Sequence, residues 1–420
     1  MKIYKPFEEK VKNQKNQQFR VIISFDNLSD REDFLKNNED LKILGKFDLI
    51  PSIYVNLVKE KIINYSKSKL IKKIEEDQKL YQSILDVLEI LEINNYKNSQ
   101  ISYTGKNVNV GIIDDGIDVN FSSITKNILK YPFFNRKAKN YDLKDAKDKI
   151  SHGTLMASII CNQFKNADNN YIGIAPDANI IDFDIFNVNR EYYFSNILKV
   201  FDKIISENIN VDILLISLNS KDSSDGKDIL SLACDLLVEH GIVVVCSSGN
   251  FGPDPYTIGS PGAAEKIIAV GALTKNLIIT NFSGRGPTLD NRIKPDICLH
   301  GSNVIVPISQ NLRVKLSGTS VSASICAGFI ALMKEYNPKM GYNDIIQLIK
   351  KSSRDLNYDS NAQGLGILRI IDVFKELDLY HEKLFPYNYL VKRSLIFSIE
   401  FFIIFVFIFY FVYFFNSWNI

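Results

Sequence analysis

Residues 313–328, RVKLSGTSVSASICAG, decide how the rest of the 420-residue chain is read. At the centre, Ser317-Gly318-Thr319-Ser320 places small, turn-prone residues directly before an apolar run, which predicts a helix from Thr319 or Ser320 to about Tyr336. The first N–H groups of a helix have no acceptor within it, and the helix dipole favours negative charge there. A serine in that turn holds its hydroxyl where an anion is stabilised, so Ser320 is a candidate nucleophile. Serine and threonine are also ordinary helix caps, and the motif taken alone favours a plain cap.

Around this stretch, from Lys106 onward, strands alternate with helical segments, the pattern of a mostly parallel sheet covered on both faces. Residues 108–113 read as a strand ending at Asp114-Asp115-Gly116, 152–162 as a helix, 180–186 as a strand and 194–207 as a helix. A strand at 211–217, a helix at 228–240, a strand at 242–247 and shorter strands at 267–272 and 304–307 complete the series. In open sheets of this kind, functional residues gather at the carboxyl ends of strands. Asp114, Ser217 and Asn250 fall just there.

Residues 19–77 follow a βαββαβ order, the ferredoxin-like arrangement: strands at 19–25, 41–47, 53–57 and 70–76, helices at 30–36 and 59–66. Residues 1–18, rich in Lys, Asn and Gln, read as a polar tail without a signal peptide. Residues 84–93 have helical spacing.

With 46% hydrophobic residues the chain can fill a large core. Lys and Arg number 50 against 48 Asp and Glu, a net charge of +2 that gives nucleic acid no basic field to bind. The five cysteines, Cys161, Cys234, Cys246, Cys298 and Cys326, lie in apolar surroundings without metal-ligand spacing and read as buried free thiols, which suits a reducing compartment. Residues 395–415 form an almost unbroken apolar and aromatic run, long enough for one transmembrane helix, with Glu400 its one charge. Lys392 and Arg393 before it, and the uncharged 416–420 after it, place the large N-terminal part on the cytoplasmic side by the positive-inside rule.

Three other short motifs have bland readings of their own. His152, in Ser151-His152-Gly153-Thr154, is one of four histidines and could be structural; Asp114 could be a turn residue, and Asn250, in Ser247-Ser248-Gly249-Asn250, a left-handed one. Together with Ser320 they fall into the local contexts of a single family. The chain resembles subtilisin-like serine proteases (subtilases) in VNVGIIDDGID around Asp114, HGTLMAS from His152, GIAPDANI from Gly173, ISLN from Ile216, SSGN from Ser247, FSGRGP from Phe282, KPDI from Lys294 and SGTSVSA from Ser317. These cover residues 105–366, and the order Asp, His, Ser separates the pattern from other serine hydrolases.

The resemblance implies a subtilisin-like α/β fold and an endopeptidase in which Ser320 attacks the scissile carbonyl, His152 moves the proton and Asp114 orients the imidazole. It implies that Asn250 and the Ser320 N–H receive the oxyanion. It further implies that Ser217-Leu218-Asn219 and Ser247-Ser248-Gly249 are the two edges between which a peptide is laid as an added strand. Departures from the pattern are Asn219, where relatives have Gly, Ser324, where they have Pro, and Leu155, where a second His is common. They bear on subsite shape and local rigidity. Calcium commonly stabilises relatives, but no acidic loop here can be assigned to it, and no other cofactor or metal ligand set is expected.

Residues 19–82, most clearly in IPSIYVNL and IKKIEED, resemble a subtilase propeptide, which implies a zymogen cut shortly after Asp77 with Leu80 or Tyr81 in an apolar pocket. The division expected is therefore a tail at 1–18, a propeptide-like unit at 19–82, a peptidase domain at 83–380, a linker at 381–394, the membrane helix at 395–415 and a short tail at 416–420. The partners are then a protein or peptide substrate, the chain's own propeptide-like unit and a lipid bilayer. The rival readings are a catalytically silent relative that binds peptides in the same groove, a membrane scaffold, and an accessory N-terminal domain that is never removed.

Overall fold

The computed structural model describes residues 2–13, 18–82, 85–86, 103–118, 124, 128–130, 150–165, 172–185, 191–307 and 313–384. The apolar run at 395–415 lies outside them; among the described residues no helix is long and apolar enough to cross a membrane.

The N-terminal unit holds α1 (Lys5–Asn13), β1 (Gln18–Phe25), α2 (Leu28–Lys36), β2 (Ile43–Phe47), β3 (Ser52–Val58), α3 (Lys59–Tyr65) and β4 (Ile71–Glu76). Its antiparallel sheet has the order β2-β3-β1-β4, the ferredoxin-like topology. Alternating residues Val21, Ile23, Ile53, Val55 and Ile74 point into one buried core. Helix α1 corrects the polar tail expected at 1–18. Tyr4, Phe7 and Val11 recur at helical spacing and are buried, a stripe that the surrounding Lys and Asn residues hide in composition.

Next come β5 (Lys79–Gln82), β6 (Leu85–Asp86), β7 (Asn109–Asp114), β8 (Ile128–Lys130), α4 (His152–Cys161), β9 (Asn179–Asp184), β10 (Tyr192–Tyr193), α5 (Phe194–Ser206), β11 (Ile213–Ile216) and β12 (Leu218–Ser220). They are followed by α6 (Ile229–Glu239), β13 (Val243–Ser247), β14 (Ile268–Leu273), β15 (Ile297–His300), β16 (Val304–Pro307), β17 (Arg313–Ser317) and α7 (Thr319–Tyr336). The last elements are α8 (Tyr342–Ser352), β18 (Ser353–Arg354), α9 (Ser360–Gln363), β19 (Ile367–Leu368) and α10 (Ile370–Leu384), which runs past the boundary expected at 380. Where helical spacing predicts a helix over 84–93, Leu85–Asp86 instead pair with β17; the rest of that stretch lies outside the described residues.

The large sheet has the order β18-β19-β15-β14-β13-β11-β7-β9-β8, parallel except for the pair β18 and β19. Strand alternation sends Leu215, Val243 and Val245 to the face covered by α4, α7, α8 and α10. Leu214, Ile216 and Val244 face α5 and α6 on the other side. Helix α7 is buried from Thr319 to Lys334, which places it in the interior rather than on the surface.

Candidate active site

Winding of the large sheet reverses between β7 and β11, since β9 continues on one side of β7 and β11 opens the other. Such a switch point leaves a crevice at the strands' carboxyl ends. Asp114 is the last residue of β7, and its Oδ2 lies 2.6 Å from His152 Nδ1. His152 Nε2 in turn lies 3.2 Å from Ser320 Oγ. All three are buried, at 1%, 4% and 0% exposure respectively, so the line of hydrogen bonds is shielded from water.

Each member is held by its element. His152 opens α4, whose cap Ser151 accepts from the Thr154 N–H at 3.2 Å. Gly153 lets that turn approach β7: a Cβ there would stand 2.7 Å from the Gly116 carbonyl oxygen and 3.2 Å from Asp114 Cβ. Ser320 is in the first turn of α7, and moving that helix would disturb the core on every side. Ser324, where relatives have Pro, donates its hydroxyl to the Ser320 carbonyl at 2.9 Å and touches Met156 Sδ at 3.0 Å, linking α7 to α4.

Asn250 follows β13. Its Oδ1 accepts from the Thr319 N–H at 3.0 Å and from Thr319 Oγ1 at 2.9 Å, which anchors the amide to the start of α7. Its Nδ2 is buried and has no acceptor among the described residues. Beside Ser320, such a donor is placed to meet negative charge that develops during a reaction.

Sequence reading gives Asp115 only a turn role. In the structure its Oδ2 accepts from the His152 N–H at 3.1 Å and its Oδ1 from the Gly153 N–H at 2.8 Å. The paired carboxylates thus divide the work: Asp114 meets the imidazole, and Asp115 satisfies the backbone donors of the turn that carries it. Burial, and then the charge of Asp114, push the Asp115 carboxyl up to about 7.

The chain's own β5 lies in the crevice. It pairs antiparallel with β12, Leu218 opposite Gln82, Asn219 opposite Tyr81 and Ser220 opposite Leu80. Leu80 is buried among the residues of the α5 and α6 face. On its other side β5 pairs with β10, which corrects the expected second edge. Ser248 donates its N–H to the Val270 carbonyl and Gly249 accepts from the Gly284 N–H, so these groups of the 247–249 segment are turned toward their own domain. A two-residue strand, Tyr192–Tyr193, carries no periodicity by which sequence could find it. Beyond the gap after Gln82, Leu85 lies opposite Ser317 and Asp86 opposite Leu316. Segments from both sides of residues 83–84 are therefore strand-paired, one with β12 and the other with β17, the strand that leads into α7.

The N-terminal unit is fastened to the helices beside the groove. Glu75 Oε2 accepts from the Ile229 N–H at 2.9 Å, at the start of α6. Asp77 accepts from the Ser195 N–H at 2.9 Å and from its hydroxyl at 2.7 Å, at the start of α5, and pairs with Arg20 at 2.8 Å. Two carboxylates at alternate positions thus meet two helix N-termini, where negative charge is favoured. Tyr4 to Asp225 and Lys10 to Asp222, both at 2.6 Å, add to the seam. Among the described residues no three of His, Cys, Asp and Glu come together as a metal site needs.

A profile of the Subtilase family (Peptidase S8) matches residues 105–366. Serine protease AprX of Bacillus subtilis (strain 168) is 28% identical over 406 residues, covering 87% of this chain and 89% of that protein. The membrane-bound transcription factor site-1 protease of Homo sapiens is 29% identical over 294 residues, 67% of this chain but 26% of that protein. Among solved structures, fervidolysin from Fervidobacterium pennivorans, described as a keratinolytic enzyme related to subtilisin, superposes with a TM-score of 0.65 at 15% identity. That match covers 86% of this chain and 62% of the other, and at such identity it speaks to the fold alone.

Proposed function

Because the chain belongs to the subtilase family, we propose that it is a serine endopeptidase acting through Ser320, His152 and Asp114. Ser320 Oγ bonds to the scissile carbonyl carbon as His152 Nε2 takes its proton, and Asp114 stabilises the imidazolium at Nδ1. The oxyanion is received by the Asn250 side-chain amide and the Ser320 backbone N–H. Collapse of the intermediate breaks the C–N bond, the leaving amine takes the proton from His152, and water then releases the acyl group by the same steps in reverse. The observation that carries this reading is the buried hydrogen-bonded line from Asp114 through His152 to Ser320.

The reading extends to the rest of the chain. Residues up to Gln82 act as a propeptide that occupies the groove until it is cut, a role supported by the pairing of β5 with β10 and β12 and by the two carboxylates on α5 and α6. Residues 395–415 anchor the enzyme to a membrane with its peptidase domain facing the cytoplasm, supported by the length of that run and by Lys392 and Arg393 beside it. The substrate is protein or peptide in extended form, bound by backbone pairing.

Labelling with a fluorophosphonate tests the proposal. The parent is expected to label and Ser320→Ala to lose the label entirely; equal labelling of both proteins would remove Ser320 as nucleophile.

A further inference from the structure

Backbone pairing with β12 takes any sequence, so selectivity depends on the space that receives the side chain of the residue attacked by Ser320. Beyond Gln82 the register of β5 on β12 runs on toward Ser217, and Asn250, placed at the start of α7 to receive the oxyanion, directly follows Ser247–Gly249, so the side chain of the residue attacked is directed to the space between the Ser217–Asn219 and Ser247–Gly249 walls, beside Gly262. This space is already spanned by Asn219, which is fully buried. Its Nδ2 donates to Ser247 Oγ at 2.5 Å, tying one wall to the other. Its Cβ and Cγ lie 3.7 and 3.8 Å from where a Cβ on Gly249 would stand, and its Oδ1 lies 3.2 Å from the corresponding point on Gly262. The carboxamide thus reaches from its own strand to the opposite wall and to the floor.

We infer that Asn219 fills this pocket and restricts cleavage to bonds following a small residue, glycine, alanine or serine. The inference rests on the endopeptidase reading above and names the substrate class of the same site. It also selects a bond in the chain itself. Of the three peptide bonds joining Gln82 to Leu85, one follows glutamine, one serine and one isoleucine; the rule picks Ser83–Ile84.

The test uses peptides of the sequence QKLYQSILD, residues 78–86, with Ser83 kept or replaced by Ala, Leu or Phe. The purified parent should cleave the Ser and Ala peptides with kcat/KM at least about tenfold above the Leu and Phe peptides, the discrimination that steric exclusion from a pocket supplies. Asn219→Gly, and to a lesser degree Asn219→Ala, should close or reverse that ratio. A parent that cleaves the Phe peptide as fast as the Ala peptide overturns the inference, as does an Asn219→Gly protein that labels with fluorophosphonate yet keeps the parental ratio. A parent that neither labels nor cleaves any of the four overturns the endopeptidase reading together with this one, whereas labelling without size preference overturns this one alone.

Discussion

Leaving a buried donor without an acceptor costs about 1–3 kcal/mol, and Asn250 Nδ2 is such a donor among the described residues. The cost makes sense if the acceptor arrives only with the reaction, because a preformed donor then needs no reorganisation when charge develops. Asn250→Ala should therefore lower kcat by about 10²–10³, the size seen for one oxyanion-hole donor in a subtilisin, with KM little changed. Steady-state kinetics decide it, and full turnover in the variant would take Asn250 out of the mechanism. The sequence names Asp114, His152, Asn250 and Ser320 one by one, through short motifs around each, and the structure brings them within reach of one another. Asp115 escapes that reading because its partners are backbone N–H groups of residues 152 and 153, which no side-chain pattern records. Ser324 escapes it for the opposite reason: only the fold shows that its hydroxyl faces Met156 and the Ser320 carbonyl.

Among the elements, β4 carries a pH dependence where its Glu75 meets the start of α6. Burial, opposed by Lys73 at 3.5 Å and reinforced by Asp228, pushes the Glu75 carboxyl up to about 7. The docked state then holds the Glu75 proton more tightly than the released state does, so docking is strongest below the ordinary carboxylate range near 4.3. It weakens as pH rises toward about 7 and levels off above that. In the Ser320→Ala protein, which is expected to keep its N-terminal unit, the melting temperature should fall between pH 5 and pH 7.5. Glu75→Gln should flatten part of that fall, corresponding to roughly 1–3 kcal/mol. Parallel slopes in the two proteins would mean that Glu75 is not the titrating group. The regular elements were legible because β1, β3, β7, β11 and β13 are short apolar runs bounded by turn residues. Helix α1 was not, since three apolar residues are outnumbered by charged and amide neighbours. The strand pairs β10 with β5 and β6 with β17 were not, because β10 and β6 are only two residues long and pairing with a distant strand leaves no local signature.

For the whole molecule, the βαββαβ order and the alternation after Lys106 were enough to name both architectures, since each follows from local periodicity and connection order. What they could not supply is how one unit sits on the other. That arrangement comes from Glu75 and Asp77 at the starts of α6 and α5, and from β5 pairing with β12 and β6 with β17. If the proposed endopeptidase cuts its own chain, its N-terminus records whether Ser320 has acted. Intact-mass and N-terminal sequencing of the purified parent and Ser320→Ala proteins, each produced alone, test the account most directly. The parent should begin at Ile84 and the variant should retain residues 1–83; a variant cut at the same bond, or a parent that labels with fluorophosphonate but stays whole, would contradict it.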